Sequence, residues 1–245
     1  MKRLGLEIKK KQDFLWNCWP IQKTVPVVLF EEDYAFHKSY NKAQKATQMD
    51  QSDNPLRRQR HYTLIQLFRN IDLSTGDVVE CGTFKGLSAY QLSKIIQEST
   101  IPVTFHIFDS FEGLSEVKKV DKSIKVEYVD EELRNTFSYS EKLVNENLKE
   151  FDFIKFYKGW IPESFHHVKN KMFSFVHVDV DLYQPIKASI EFFYPRLIKG
   201  GIMVFDDYGY TTQFPGAKKA VDEALINLTV QLFISLPSGQ AYLIK

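Results

Sequence analysis

Cysteine is scarce in this sequence, and a long apolar run is missing. The two cysteines among the 245 residues, Cys18 and Cys81, are far apart and in no spacing that binds a metal. We therefore expect no disulfide framework, and a reducing compartment, the cytoplasm, is the predicted location. The basic segment from Lys2 to Lys11 is not followed by a long apolar stretch. A signal peptide and a membrane span are accordingly not expected.

A charge excess of either sign is also lacking. Lysine and arginine number 32, aspartate and glutamate 31, and the formal net charge is +1. Nucleic-acid-binding proteins usually carry a basic excess, so this balance weighs against a nucleic-acid partner. With 44% hydrophobic and 14% aromatic residues, the composition is that of a folded protein. The length suffices for one α/β domain with an added segment.

The periodicity of the hydrophobic residues changes near residue 54. Residues 1–53 are aromatic-rich but weakly periodic, and we interpret them as an N-terminal appendage or lid. Such a segment packs on the main domain, closes over a site or mediates dimerisation. Residues 54–245 are interpreted as the main domain. Asn54 is predicted to cap its first helix, with Pro55 at the first helical position.

Strands and helices alternate through the main domain, which predicts an α/β fold with a doubly wound, mostly parallel sheet. The last two strands are expected to form an antiparallel hairpin at its edge. Gly200 and Gly201 are expected to stop a helix and precede a strand. The periodicity predicts strands at 77–81, 103–109, 152–157, 172–180, 202–205, 230–236 and 240–244, and helices at 84–97, 185–198 and 216–227.

A glycine turn of the form E-x-G-x-x-x-G, from Glu80 to Gly86, follows the first predicted strand. Gly82 allows a tight turn and the close approach of a ligand, and Gly86 lets the next helix pack against the strand. The dinucleotide pattern G-x-G-x-x-G is absent, and an acidic neighbour does not favour a pyrophosphate at a helix N-terminus. Glu80 instead suits a ligand with a cationic part, such as an ammonium or a sulfonium. Taken alone, the motif is weak evidence, and a purely structural turn is the alternative.

Asp109 ends the second predicted strand. A carboxylate at this place can accept hydrogen bonds from both hydroxyls of a ribose. The structural alternative is a carboxylate that caps the turn Ser110–Gly113.

Three further aspartates follow two strands that are expected to be neighbours. Asp179 ends the fourth predicted strand, and Asp206 and Asp207 end the fifth. The ends of adjacent strands lie about 5 Å apart, so the three carboxylates converge and repel one another unless a cation intervenes. Oxygen ligands select a hard ion, Mg²⁺ first and Mn²⁺ or Ca²⁺ next. The alternative is a set of helix caps and loop turns without a metal.

A bound metal would serve a definite chemistry here. It lowers the pKa of a coordinated hydroxyl and orients that oxygen toward a methyl sulfonium. Asp181 is interpreted as a residue that supports the cluster or caps the loop. His177, inside an apolar strand, is interpreted as a core histidine rather than a base.

Together these residues resemble the macrocin O-methyltransferase family, metal-dependent enzymes that methylate sugar hydroxyls of macrolides and related natural products. The resemblance covers about residues 55–245. It rests on motifs in a fixed order, namely Val79–Gly82, Phe108–Leu114, Lys158–Ser164, Asp179–Tyr183, Tyr194–Leu197, Gly200–Gly201, Asp206–Tyr208 and Phe214–Ala217.

The resemblance implies a Rossmann-like methyltransferase fold with a seven-stranded sheet. It implies S-adenosylmethionine as the methyl donor, S-adenosylhomocysteine as the product, and Mg²⁺ on Asp179, Asp206 and Asp207. The cofactor-binding residues that it implies are Glu80, Cys81, Gly82, Thr83, Gly86, Asp109, Ser110, Gly159 and Trp160.

The resemblance also bears on the catalytic base. Catechol methyltransferases, which are more distantly similar, carry a lysine three residues after the first metal-binding aspartate. This chain has Leu182 there, so a lysine base is not implied. Family members use a carboxylate from the loop after the second strand. Glu127 lies in that segment and is the predicted catalytic base, with Asp179 as the competing choice.

The predicted function is methylation, dependent on S-adenosylmethionine and Mg²⁺, of a sugar hydroxyl in a vicinal diol on a natural product, nucleotide sugar or glycan. Methylation of a small catechol-like phenol is the alternative within the enzymes. An NAD(P)-dependent oxidoreductase and a non-catalytic cofactor-binding protein are alternatives from other classes. A small-molecule or glycoside substrate is the expected partner, without nucleic acid or membrane, and the family suggests a homodimer.

Overall fold

The computed structural model describes residues 29–49, 53–122 and 130–245. A boundary between two compact units falls between Ser39 and Tyr40. Asp33, in the first unit, separates the helices Leu29–Glu32 and Tyr34–Ala46, and its Oδ1 accepts a hydrogen bond from the Phe36 N–H at 2.8 Å. None of the helices in the described ranges combines the length and the apolar character that a membrane crossing requires.

The second unit contains a seven-stranded sheet in the order β3-β2-β1-β4-β5-β7-β6. Strands β1 to β5 are parallel, and β7 is antiparallel to both of its neighbours. The predicted mostly parallel sheet with an antiparallel C-terminal hairpin is thereby confirmed. The strands are β1 (Asp77–Cys81), β2 (Phe105–Asp109), β3 (Ile154–Lys158), β4 (Phe173–Val178), β5 (Leu197–Phe205), β6 (Leu232–Ser235) and β7 (Ala241–Ile244).

Helices connect the parallel strands, as a doubly wound sheet requires. Short 3-10 turns at Leu73–Thr75 and Glu163–Val168 precede β1 and β4. The α-helices in the described ranges are α1 (Leu29–Glu32), α2 (Tyr34–Ala46), α3 (Pro55–Phe68), α4 (Leu87–Ser99), α5 (Asp130–Thr136), α6 (Glu141–Asn147), α7 (Tyr183–Arg196) and α8 (Pro215–Leu225).

Helix α3 begins where the sequence predicts. Asn54 Oδ1 accepts a hydrogen bond from the Arg57 N–H at 2.9 Å, and Pro55 occupies the first turn. Leu64, Ile65 and Phe68 supply its buried residues. A well-defined start matters because this helix contributes polar side chains to the site described below.

The structure corrects the prediction for Gly200 and Gly201, which lie inside β5 rather than between a helix and a strand. Helix α7 ends at Arg196, and β5 begins at the next residue. The Lys245 ammonium donates hydrogen bonds to three carbonyls at that helix end and so stabilises it. The Gly200 N–H donates to the Lys245 carbonyl at 2.7 Å, which explains why the glycines continue the strand.

Asp77, at the start of β1, links several chain segments at the amino-terminal edge of the sheet. Its Oδ2 lies 3.0 Å from His106 Nε2 and 3.0 Å from Lys171 Nζ, and its Oδ1 accepts from the Thr104 N–H. Burial by itself would raise the pKa of Asp77, but the hydrogen bonds from His106 and Lys171 outweigh it and lower the pKa to about 2. The carboxylate therefore ties three chain segments together at the edge opposite the site.

The core lies against the central strands. Every residue of β4 is buried, and aromatic rings from the flanking elements pack on it. Phe193 of α7 lies with its ring centre 5.2 Å from that of Phe173 and 4.6 Å from that of Phe165. This packing holds the carboxyl ends of β1, β2, β4 and β5 at one edge of the sheet, where the strand order reverses between β1 and β4.

Candidate functional site

A cavity of about 340 Å³ opens at this carboxyl edge, within the second unit. Its volume lies within the range of about 300–1,000 Å³ that small-molecule sites occupy. Loops after β1, β2, β3, β4 and β5 line it together with one face of α3. The predicted site residues on its wall are Gly82, Thr83, Asp109, Ser110, Gly159, Trp160, Asp179, Asp206 and Asp207.

The glycine turn after β1 is needed for close backbone packing. Gly82 has φ +80°, and a Cβ there would lie 1.8 Å from the carbonyl oxygen of Asp179. Backbone hydrogen bonds hold the turn on both sides: Gly82 N–H donates to Phe108 O at 2.8 Å, and Asp179 N–H to Cys81 O at 2.9 Å. Gly82 thus brings the loop after β1 and the first residue after β4 into contact at the cavity wall.

Gly86 lies behind the wall. It has φ +90° at the start of α4, and a Cβ there would lie 3.1 Å from the Leu148 side chain. The helix therefore starts at Leu87, three residues later than predicted, because the left-handed residue precedes it. Gly86 thus allows the start of α4 to pack closely against Leu148.

Asp109 organises the loops around it. Its Oδ2 accepts hydrogen bonds from the N–H groups of Thr83 and Phe84 at 2.8 and 3.2 Å, and its Oδ1 from that of Phe111 at 2.7 Å. Burial raises the pKa of Asp109, and the three N–H groups counteract that rise. The turn-capping alternative accounts for the bond from Phe111, whereas the bonds from Thr83 and Phe84 join Asp109 to the loop after β1. Contact with a ribose remains a prediction for a carboxylate that also lines the cavity.

The loops after β2 and β3 are joined beside Asp109. Ser110 Oγ donates to the Gly113 carbonyl at 2.9 Å, and the Gly159 N–H donates to the Asp109 carbonyl at 3.0 Å. Thr83 Oγ1 is buried and has no hydrogen-bond partner within the described part of the chain. Since a buried hydroxyl is normally paired, Thr83 offers an unused donor and acceptor at the wall.

Asp179, after β4, and Asp206, after β5, lie close together with His177 beside them. Ligand atoms of Asp179, Asp206 and His177 all lie within 4.8 Å of one another. Asp207 Oδ2 is buried and finds no hydrogen-bond partner in residues 29–49, 53–122 and 130–245. One divalent ion binds oxygen at about 2.0–2.6 Å, so it spans donors at this separation. The residues therefore fit a metal ion.

The electrostatics of the cluster agree with that fit. Burial, together with the charge of Asp207, raises the pKa of Asp179 to about 7. Burial and the charges of Asp207 and Asp179 raise the pKa of Asp181, which has φ +57° and also lines the cavity. Crowded buried carboxylates resist ionisation unless a positive charge is near.

Arg60 of α3 supplies such a charge, and the sequence did not reveal it. Its Nη2 contacts the carboxylate of Asp206, lies 3.3 Å from Asp207 Oδ1, and donates to the Asp206 carbonyl at 3.2 Å. The guanidinium also lies 4.8 Å from the ring centre of Tyr210. Burial would lower the pKa of Arg60, but the charges of Asp207 and Asp179 raise it. The available signal was that Arg57, Arg60 and His61 share one helical face, and all three line the cavity.

Glu80 and Cys81 are not among the residues on the wall. Glu80 is fully buried, and its Oε1 lies 3.0 Å from Nδ1 of His177 on the adjacent strand. The Cys81 thiol is also buried, which raises its pKa. Their contact with a cofactor stays a prediction. His177 is buried as a core histidine would be, yet it reaches the cavity.

Glu127 lies outside the described residues, so its predicted role as the base stays a prediction.

Comparison with known families gives a match along most of the chain. The model of the family described as Macrocin-O-methyltransferase (TylF) matches residues 32–226, about four-fifths of the sequence. Demethyldecarbamoylnovobiocin O-methyltransferase from Streptomyces niveus is 25% identical over 153 residues, 60% of this chain and 57% of that protein. Mycinamicin III 3''-O-methyltransferase from Micromonospora griseorubida is 24% identical over 161 residues, 60% of this chain and 59% of that protein. The matched region thus spans little more than half the length of these relatives.

Solved structures share the fold. The O-methyltransferase NovP superposes with a TM-score of 0.62 at 22% identity, over 76% of this chain and 79% of that one. The calicheamicin methyltransferase CalS11 also gives 0.62, at 19% identity, over 85% of this chain and 91% of that one. The methyltransferase PaMTH1 of Podospora anserina, solved with S-adenosylhomocysteine bound, gives 0.56 at 11% identity, over 98% of this chain and 97% of that one.

Proposed function

This chain belongs to the macrocin O-methyltransferase family, and on that basis we propose that it transfers a methyl group from S-adenosylmethionine to a hydroxyl of a glycoside, with the help of a divalent cation. One observation carries the proposal. Carboxylates of Asp179 and Asp206 converge to within 4.8 Å at the edge of a cavity whose other wall is the glycine turn after β1. That juxtaposition supports the proposal of a cation site beside a cofactor site, the arrangement that methyl transfer to a hydroxyl requires.

The methyl donor would lie against the loops after β1, β2 and β3. Thr83 supplies an unused hydroxyl, Asp109 a carboxylate, and the Ser110 and Gly159 loops a wall that their mutual hydrogen bonds keep in place. Trp160 adds an aromatic surface on the same side. Glu80, Cys81 and Gly86 would act through the turn that they form. S-adenosylmethionine supplies an electrophilic methyl group when bound.

The cation would lie on Asp179, Asp206 and Asp207, with Mg²⁺ as the first choice for oxygen donors. A divalent ion there would lower the pKa of a coordinated hydroxyl. The aspartates would hold that ion, and the loop of Asp179 is itself fixed by its close packing against Gly82. For the proton we propose a carboxylate, Glu127 or Asp179, since Leu182 stands where a lysine base would be.

A sugar hydroxyl is the proposed acceptor. The two relatives are named for novobiocin and mycinamicin substrates, the latter with a 3''-hydroxyl position in its name. A structural neighbour is described as a TDP-rhamnose 3'-O-methyltransferase, with a TM-score of 0.53. We therefore propose a glycosylated natural product or a nucleotide sugar with a vicinal diol, since two adjacent hydroxyls can chelate one ion.

The test is a methyl-transfer assay over a panel of glycosides, nucleotide sugars and one catechol, with Mg²⁺ and with chelator. We expect S-adenosylhomocysteine to form with at least one sugar, and Asp206→Asn to reduce turnover by on the order of 100-fold or more. Asp152→Asn, an exposed aspartate just before β3 at the opposite edge of the sheet, is the matched control and should leave turnover unchanged.

Other results would contradict the proposal in distinct ways. Activity on the catechol but on no sugar would replace the acceptor class. Thermal stabilisation by NAD but not by S-adenosylhomocysteine would replace the cofactor. Binding of S-adenosylhomocysteine without turnover, and with no effect of Asp206→Asn, would indicate a non-catalytic cofactor-binding protein.

A further inference from the structure

The imidazole of His177 has an unused ring nitrogen that faces the aspartates. The side chain is 1% exposed, and Nε2 has no hydrogen-bond partner among the described residues. This atom lies 3.6 Å from Asp206 Oδ1. Buried polar atoms are nearly always paired, so an unpaired one beside a candidate cation site needs an explanation.

The other ring nitrogen sets the tautomer of the neutral imidazole. Nδ1 lies 3.0 Å from Glu80 Oε1, and the two residues are direct partners in the register of β1 and β4. An ionised carboxylate only accepts hydrogen bonds, so Nδ1 carries the proton of this pair. In a neutral imidazole Nε2 then presents a lone pair, the form in which histidine binds metals.

A hydrogen bond to Asp206 does not satisfy the Nε2 atom of His177. The separation of 3.6 Å exceeds the roughly 2.7–3.2 Å of an N–H···O bond. Asp206 Oδ1 already accepts a hydrogen bond from Gln240 Nε2 at 2.6 Å. A lone pair and a carboxylate oxygen repel each other unless a cation lies between them. Two ligands that bind one ion at about 2.1 Å are themselves about 3.0–3.5 Å apart, close to the observed separation.

We propose that His177 Nε2 is a ligand of the cation, together with Asp179 and Asp206, and that Glu80 is a positioning residue that fixes the ring. This inference rests on the proposed function, because it concerns the same ion. Histidines that bind metals commonly donate their second N–H to a carboxylate, as His177 does to Glu80. A nitrogen donor also favours first-row transition ions over Mg²⁺ and Ca²⁺.

The decisive experiment detects nitrogen bonded to the metal and needs no substrate. Mn²⁺ is added to the purified full chain, and electron spin-echo modulation is recorded for protein made with natural or with ¹⁵N-labelled histidine. We expect a ¹⁴N modulation that changes with the label and disappears in His177→Gln. His166→Gln is the matched control, because His166 is exposed on the turn before β4, and it should keep the signal.

Affinity provides a second readout. The Kd for Mn²⁺, measured by titration, should rise about 10–100-fold in Glu80→Gln, the range for loss of an orienting partner. The ratio of the Kd for Mg²⁺ to that for Mn²⁺ should fall in His177→Gln, because the nitrogen donor that favours Mn²⁺ is gone. Circular dichroism of each variant verifies that it is folded, and the labelled wild-type protein tests the idea even if a variant does not fold.

The outcomes separate this inference from the proposed function. If Mn²⁺ binds, and Asp206→Asn weakens it, but no histidine nitrogen is coupled, the assignment of His177 is wrong and the aspartate site stands. If the nitrogen signal persists in His177→Gln, another residue is the ligand and the inference again fails. If no divalent ion binds, the cation part of the proposed function fails as well.

Discussion

Arg60 offers the sharpest test of how the acidic cluster is held together. In Arg60→Gln the guanidinium that contacts Asp206 and Asp207 is lost, and the carboxylates remain. Removal of one partner from a buried ion pair costs about 3–5 kcal/mol, whereas an exposed pair is worth about 0–1 kcal/mol. Arg60 is 20% exposed and the two aspartates 10% and 6%, so the cost lies toward the buried limit.

We therefore expect Arg60→Gln to lower the free energy of unfolding by about 2–3 kcal/mol in chelator, which corresponds to a fall in Tm of roughly 5–10 °C. A divalent cation should restore most of this loss, since it neutralises the same carboxylates. The affinity for the cation should rise about tenfold, because a competing positive charge nearby is gone. Urea denaturation and Mn²⁺ titration measure the two effects.

Arg58→Gln is the matched control. Arg58 lies on the same helix, is 22% exposed and pairs with Asp53 at 2.5 Å, away from the cluster. It should lose stability to a similar or smaller extent, and the cation should restore none of it. The reasoning about Arg60 is refuted if Arg60→Gln is as stable as the wild type in chelator, or if both variants respond equally to the cation.

Three further predictions follow from single contacts. Gly82→Ala should lower the free energy of unfolding by about 3 kcal/mol or more and abolish cation binding, because its Cβ would overlap the Asp179 carbonyl. Gly200→Ala, where φ is +79° and a Cβ would meet no atom of the described residues within 4 Å, should lower it by only about 1 kcal/mol through backbone strain. Denaturation and Mn²⁺ titration of both variants test this. Thr83→Val should leave the Tm unchanged but weaken the binding of S-adenosylhomocysteine about fivefold, as measured by calorimetry. An unchanged affinity would contradict a role for that hydroxyl. Asp77→Asn should lower the free energy of unfolding at neutral pH. Since the folded pKa is lowered from 3.8 to about 2, the contribution of Asp77 is complete above pH 4 and is lost as the pH falls toward 2. A difference between the two proteins that persists below pH 2 would refute this.

The alternation of strands and helices was readable from the sequence because helices bury a periodic face and the central strand β4 is a nearly continuous apolar run. Asn54 and Pro55 marked the start of α3 because capping depends on neighbouring residues alone. The prediction that Gly200 and Gly201 stop a helix was wrong, because their place in β5 depends on a hydrogen bond to the distant residue Lys245. Local patterns contain no information about such a distant partner.

The class of fold, the edge that carries the candidate site, and the aspartates that follow β4 and β5 could be predicted from local patterns, because parallel strands bring their carboxyl ends together whatever their loops contain. The surroundings of those aspartates could not. Arg60 comes from a helix before the sheet, and Gln240 from the turn between the last two strands. The partnership of Glu80 with His177 depends on the register of β1 against β4. These contacts join residues far apart in the chain, so the packing of the whole sheet, and no local pattern, sets their charges and distances.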